Sequence, residues 1–186
     1  MKSYSREYPL FSLCGLNCGL CPRYQTDGAS KCPGCGGTDF HLKHPSCAVI
    51  TCTQKHDQVE YCFQCTSYPC EKYRNQSGKD SFITYQNVLT DFEKAKTEGL
   101  QQYKLEMNEK IEILEYLIHN YNDGRRKNFY CIAVNLLSLA SLKEIIQEIQ
   151  NTVSPLDIDN KSKIEQIIAL FETKAECNSI VLKLRN

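Results

Sequence analysis

The sequence predicts a small metal-stabilised, cysteine-rich, zinc-knuckle-like N-terminal half packed on an all-α C-terminal helical bundle. The boundary falls near residue 75, giving a cysteine-rich domain over 1–75 and a helical domain over 76–186. Three observations carry this. Ten of the 12 cysteines lie between Cys14 and Cys70, in short-spaced clusters. Over that stretch only 8 of 57 residues are Leu, Ile, Val, Phe or Met, below the roughly 20% at which a segment struggles to bury a core. Residues 76–186 carry 35 of these among 111, at helical spacing.

The first half therefore calls for a stabiliser other than apolar burial. One structural zinc site contributes an apparent ~10–16 kcal/mol in small peptides, enough to fold such a segment. The cysteines are set as Cys14-x3-Cys18-x2-Cys21, Cys32-x2-Cys35, Cys47-x4-Cys52 and Cys62-x2-Cys65-x4-Cys70. Thiols two to four residues apart can close on one ion without straining the backbone. The simplest pairing puts Cys18, Cys21, Cys32 and Cys35 on one zinc. Four of Cys47, Cys52, Cys62, Cys65 and Cys70 then take a second, Cys14 is left over, and a crossed arrangement stays open. His41, His44 and His56 lie among the cysteines and can replace a thiolate, though loop histidines of this kind are more often solvated. Gly15, Gly19, Gly28, Gly34, Gly36 and Gly37 supply tight turns between clusters, and Pro22, Pro33, Pro45 and Pro69 stiffen them. Knuckles and loops with one or two helical turns are expected, after a short extended lead-in over Tyr8–Leu13.

The polar tract Asn75-Gln76-Ser77-Gly78-Lys79-Asp80 reads as a linker. A helix starting at Asp80 or Ser81 and running towards Glu98 would face inward with Phe82, Tyr85, Leu89, Phe92 and Lys96, and Gly99 would stop it. Met107, Ile111, Leu114, Ile118 and Tyr121 form the clearest stripe in the chain, closed by Asn122-Asp123-Gly124. After Arg125-Arg126-Lys127, Phe129, Ile132, Ala133, Leu136 and Leu137 make one face, continued by Leu142, Ile145, Ile146 and Ile149. Ser138–Ser141 bends or divides this region, and Ser154-Pro155 breaks it. A last helix covers about Asn160–Cys177, with Ile164, Ile167, Ile168, Phe171 and Ala175 inward. Cys131 and Cys177 stand at helical positions and read as small buried hydrophobes.

Formal net charge is zero, so no global field draws the chain to nucleic acid or membrane. Residues 1–75 carry 8 Lys/Arg against 6 Asp/Glu, and two all-thiolate zinc sites would take that balance to about −2. Phosphate contact dominates nucleic-acid affinity, so nucleic acid is disfavoured; Tyr24, Phe40, Tyr61, Phe63 and Tyr68 then cover the metal sites rather than stack on bases. No apolar run approaches the roughly 20 residues needed to span a bilayer. The N-terminus lacks the apolar core of a signal peptide. A cytoplasmic protein is expected, where thiols stay reduced and cysteine pairs favour metal over disulfide.

Cys14-x3-Cys18-x2-Cys21 also matches the three-cysteine signature of radical S-adenosylmethionine enzymes, but the β/α units of such a barrel do not follow, and Leu20 stands where that family often has an aromatic. A thiol–disulfide role for Cys18-x2-Cys21 or Cys62-x2-Cys65 lacks the usual βαβ setting. Arg125, Arg126 and Lys127 are a candidate anion site: three cations where a helix begins call for a compensating phosphate, carboxylate or thiolate-rich metal centre. A solvated basic turn capping the preceding helix accounts for them equally well.

Cys14-Gly-Leu-Asn-Cys18-Gly-Leu-Cys21-Pro22-x-Tyr24 resembles the opening of a prokaryotic cysteine-rich family, domain of unknown function 3795. The resemblance continues through Cys32-x-Gly-Cys35, Cys47-x-x-Ile-x-Cys52 and Cys62-x-x-Cys65-x-x-Tyr-Pro-Cys70-Glu71, with Tyr68 where related sequences often have Phe. It takes in Asp123–Leu137 and ends near residue 150. It implies a metal-binding module regarded as holding zinc, with no assigned activity, and it lends Cys131 and the two arginines more weight than packing. The expected function is structural binding of two zinc ions that shapes a surface for protein or small-anion recognition without catalysis of its own. The alternative is an iron–sulfur or zinc-dependent redox protein or enzyme. No Ser-His-Asp constellation, phosphate-binding glycine loop or dinucleotide fingerprint is present.

Overall fold

The computed structural model describes residues 4–44, 46–74 and 78–185. Pro45 and the linker residues Asn75, Gln76 and Ser77 lie outside them. Among the described residues all regular structure is helical. The first half holds only short pieces: 3-10 turns at Cys18–Leu20 and Cys62–Gln64, and helices α1 (Phe40–Lys43), α2 (Ala48–Thr53) and α3 (Glu71–Arg74). The second half holds α4 (Val88–Thr97), α5 (Leu100–Tyr121), α6 (Lys127–Leu136), α7 (Leu139–Glu148) and α8 (Asn160–Cys177). Irregular chain follows α8 to the end of the described residues.

Helix α5 is the axis. Its inward stripe is Tyr103, Met107, Lys110, Ile111, Leu114, Leu117 and Tyr121, and it touches α4, α6, α7, α8 and the Cys18–Leu20 turn. Apolar spacing near 3.6 residues buries one face of such a helix against several partners at once. Ser138 divides the third helical region because its hydroxyl accepts from the Ser141 N–H at 3.1 Å, an N-cap that starts α7 afresh. Gly124, just past α5, has φ +87°.

The start of α4 departs from the sequence reading. The chain stays irregular from Asp80 to Asn87, because the Asp80 carboxylate caps no helix. It accepts from the Tyr85 N–H at 2.9 Å and the Arg185 N–H at 2.8 Å, and pairs with the Arg185 guanidinium at 2.9 Å. It ties the chain's tail down instead. Phe82 and Leu89 are left 60% and 45% exposed, and the inward face is Val88, Phe92 and Ala95.

The first half also departs from the expectation that apolar burial contributes little. It has a small cluster of its own in Leu13, Cys35, Phe40 and Ile50. Phe11, Leu20, Tyr61 and Tyr73 join the same cluster as the helices. Three of those eight are missing from a count of Leu, Ile, Val, Phe and Met, and the tyrosines bring the most area. The rings of Phe11, Phe63, Tyr68 and Tyr73 surround Phe92 of α4, with centroids at 5.7, 5.2, 5.7 and 5.9 Å. The cysteine-rich half is grafted onto the bundle through aromatics.

Gly15, Gly28, Gly34 and Gly36 adopt positive φ as expected. Gly19 is held small by space instead: a Cβ there would sit 2.3 Å from Ile111 Cδ1. The Cys18–Leu20 turn lies directly on α5.

Candidate metal centre

Two of the three Cys-x2-Cys segments have the same local build. Cys18–Leu20 and Cys62–Gln64 are 3-10 turns, and in each the fourth residue's N–H, of Cys21 or of Cys65, donates to the first cysteine's carbonyl at 3.1 Å. Such a turn points its two thiols to one side. The lead-in strings the clusters together by backbone bonds. Cys35 N–H donates to Pro9 O and Cys62 N–H to Leu13 O, each at 2.9 Å, while Cys32 N–H donates to Arg23 O at 3.0 Å. Residues far apart in sequence are thereby brought alongside Cys14 and Cys18.

The thiols form two neighbourhoods. In the first, burial pushes Cys18 well up, and Cys35, Cys14, Cys21 and Cys32 push it further, in that order. Burial raises Cys21 too, opposed by the backbone amides of Arg23 and Tyr24. In the second, Cys52, Cys62, Cys65 and Cys70 line one small cavity of about 30 Å³ together with His56. Burial pushes the Cys62 thiol up to about 12, with Cys14, Cys70 and Cys52 adding to it. Cys14, pushed up to about 11 by burial, also feels Cys35 and Cys47. Cys14 thus stands between the neighbourhoods rather than outside them, and Cys47 faces Cys14 and Cys35.

All of these cysteines are unpaired by disulfides. Among the described residues, no three Cys, His, Asp or Glu side chains are drawn together tightly enough to hold an ion. The donors fit zinc by type and neighbourhood, and stop short of it in spacing. Burial disfavours the charged form of Cys14, Cys18, Cys21, Cys35 and Cys62; a divalent cation inverts that balance and makes a thiolate favourable. His41 lies instead on a separate surface cavity with Cys32, and His44 stacks on Phe40 at 4.7 Å.

A buried polar knot fixes the first neighbourhood to the bundle. Asn17, between Cys14 and Cys18, is 2% exposed. Its amide donates to Asp91 Oδ2 of α4 at 2.8 Å and to Asn135 Oδ1 of α6 at 3.1 Å. Its oxygen accepts from the Tyr103 hydroxyl of α5 at 2.9 Å. Beside it, Lys110 Nζ donates to Asn135 O at 3.5 Å. Burial pushes the Asp91 carboxyl up to about 6 despite Lys110, Asn17 and Tyr103, and burial lowers the Lys110 amine. Sequence reading missed this knot, and its one visible sign is an amide held inside a cysteine cluster.

The basic turn does not converge. Arg125 is exposed, Arg126 Nε lies 3.5 Å from Asp123 Oδ2, and Lys127 Nζ donates to Thr26 Oγ1 at 2.7 Å. Lys127 lines a cavity of about 410 Å³ with Arg23, Thr26, Ser81 and Asn128; Arg125 and Arg126 do not. Cys131 is buried next to Cys21 and Lys127, burial pushing it up to about 12. Cys177 is exposed, against expectation, because it ends α8.

Residues 10–75 match the family model described as a protein of unknown function, DUF3795. That match covers the cysteine clusters and stops before the helical bundle. No curated protein matches the chain, and no solved structure does. Among the described residues, no helix is long and apolar enough to cross a membrane.

Proposed function

We propose that the cysteine-rich half is a zinc-binding module holding two ions, with its Cys18–Cys21 and Cys62–Cys65 turns acting as zinc knuckles, and that it shapes a recognition surface without catalysis of its own. One observation carries the reading: ten cysteines spread over residues 14–70 gather into two half-buried neighbourhoods with no disulfide among them. Cys18, Cys21, Cys32 and Cys35, with Cys14 and Cys47 at their edge, would hold one ion. Cys52, Cys62, Cys65 and Cys70 would hold the other, with His56 in reserve. Zinc supplies a closed tetrahedral cross-link there. The protein's part is to present thiols, aim backbone amides at them and keep water out.

The reading puts the chain in the reducing cytoplasm, where thiols reach metal before they reach each other. The recognition surface would face a protein or a small anion, and the Arg23–Lys127 cavity offers the anion two cations, two hydroxyls and an amide. Nucleic acid and membrane are not its partners.

The test is metal content by mass spectrometry, with a visible spectrum, on protein purified without oxygen. Two zincs per chain and a colourless sample are expected. Cys18→Ser and Cys62→Ser should each lower the count by about one. Iron with acid-labile sulfide and a brown colour would overturn the reading in favour of an electron-transfer or cluster protein. Two zincs retained in both variants would overturn the grouping.

A further inference from the structure

We propose that Tyr4 and Arg6, which precede the first cysteine, form the outer shell of the Cys35 thiolate and set how tightly the first neighbourhood holds its metal. The inference rests on the zinc reading above and names residues that lie outside the family match.

Three observations point there. The Tyr4 hydroxyl lies 3.7 Å from Cys35 Sγ, within hydrogen-bonding reach of sulfur. The Arg6 backbone N–H donates to Gly36 O at 3.0 Å, and a Cβ on Gly36 would meet Arg6 Cγ at 2.9 Å. The arm is therefore clamped onto the Cys35–Gly36 turn. The Arg6 side chain is 3% exposed, and its Nε is buried with no hydrogen-bond partner among the described residues.

A buried cation needs compensation, and the visible partners supply little. One guanidinium nitrogen donates to Phe11 O at 3.1 Å, another donates to Glu60 O, and the guanidinium sits 4.4 Å over the Tyr61 ring. The one carboxylate in reach, Glu60, is half exposed and 3.6 Å away. A carboxylate so open to solvent is screened and does little for a buried guanidinium. The arm that carries Arg6 is clamped on the Cys35–Gly36 turn, so a metal-bound Cys35 thiolate would supply the anion that the guanidinium lacks. A four-thiolate zinc site carries about −2, and a desolvated guanidinium beside it meets both needs at once. Ligand thiolates are oriented by such outer-shell donors, whose loss typically costs about 10–100-fold in metal affinity.

The experiment measures zinc affinity of the full chain by competition with a chromophoric chelator, and records the thiolate-to-metal charge-transfer band of the cobalt-loaded protein. Arg6→Gln should weaken one zinc by about 10–100-fold and shift that band. Arg6→Lys should recover most of the affinity, since it restores charge without the fork or the ring contact. A packing role would leave Gln and Lys equally damaged, and that outcome overturns the assignment. Tyr4→Phe, which removes one hydroxyl, should weaken the same zinc; it decides the matter if Arg6→Gln does not fold. Unchanged affinity in Tyr4→Phe and Arg6→Lys together with Arg6→Gln leaves the zinc reading standing and removes this one. A wild type that takes up no zinc or cobalt removes both.

Discussion

Helix α5 and the Cys14–Leu20 loop meet at Gly19, and they reach that contact by opposite routes. The helix arrives with seven inward side chains at helical spacing, so burial alone orders it. The loop arrives with Leu20 buried and little else apolar, held by backbone bonds and by Asn17. A helix of this kind tolerates volume-conserving exchange along its stripe. The loop does not, because each of its residues has a separate job. The difference says that the helical half serves as the template and the cysteine-rich half as the fitted part.

The largest test of that asymmetry is Phe92→Ala. Four rings of the cysteine-rich half pack on this one side chain of α4. Removing a buried Phe costs about 3–5 kcal/mol. The loss should appear in one cooperative urea transition, seen alike by far-ultraviolet circular dichroism and by thiol accessibility. Two separated transitions in the wild type would mean that the halves fold independently and that the graft is superficial.

Next in size is a pH effect at the knot around Asn17. Asp91 has a folded-state pKa of about 6, above an ordinary carboxylate. The stability it contributes is therefore fully present below pH 3.8 and is lost as pH rises through about 6, on the order of 3 kcal/mol. Asn17, Tyr103, Lys110 and Glu106 face it. Lys110, lowered by burial, works the other way: its contribution is present above pH 10.5 and lost as pH falls. Acid also strips thiolates of metal, so the measurement is the difference between wild type and Asp91→Asn at matched zinc. That difference should change between pH 4 and 6 and be flat above 7; a flat difference throughout would show that Asp91 is not held protonated.

Gly19→Ala tests the loop's contact on α5 directly. The added methyl would stand 2.3 Å from Ile111 Cδ1, and overpacking of this sort costs about 1–3 kcal/mol. Ile111→Val opens space on the other side, so the double variant should recover part of the loss. A recovery of nothing would place the strain in the loop's own backbone.

How far the sequence disclosed all this follows the same asymmetry. The stripe of α5, the division at Ser138 and the bounds of α8 were legible, because helical period and N-caps are local signals. The start of α4 was not: Asp80 looks like an N-cap, and only the folded chain shows Arg185 taking its carboxylate. The clustering of cysteines was legible from spacing, and the four that spacing pairs first, Cys18, Cys21, Cys32 and Cys35, lie in one neighbourhood; that Cys14 lies among them was not legible. Cys35 and Cys62 are brought alongside Cys14 by their backbone bonds to Pro9 O and Leu13 O, which no spacing rule encodes. The basic turn was legible as unusual; of its three cations, Lys127 lies by the buried Cys131 and lines the cavity with Arg23, and Arg125 and Arg126 do not line it.

The smallest prediction separates the template from the fitted part most cleanly. Ser138→Ala removes the hydroxyl that caps α7, and losing such a cap costs about 1 kcal/mol. Helix α7 packs on α5 and α8 and makes none of the main contacts to the cysteine-rich turns. The variant should melt earlier while its zinc affinity, measured under native conditions, stays at the wild-type value, because the native thiol neighbourhoods are unaltered. Arg6→Gln should do the reverse to zinc. A Ser138→Ala protein that also binds zinc more weakly would mean that the bundle's stability is transmitted to the thiols through α5, and the helical half would then be part of the metal centre rather than its support.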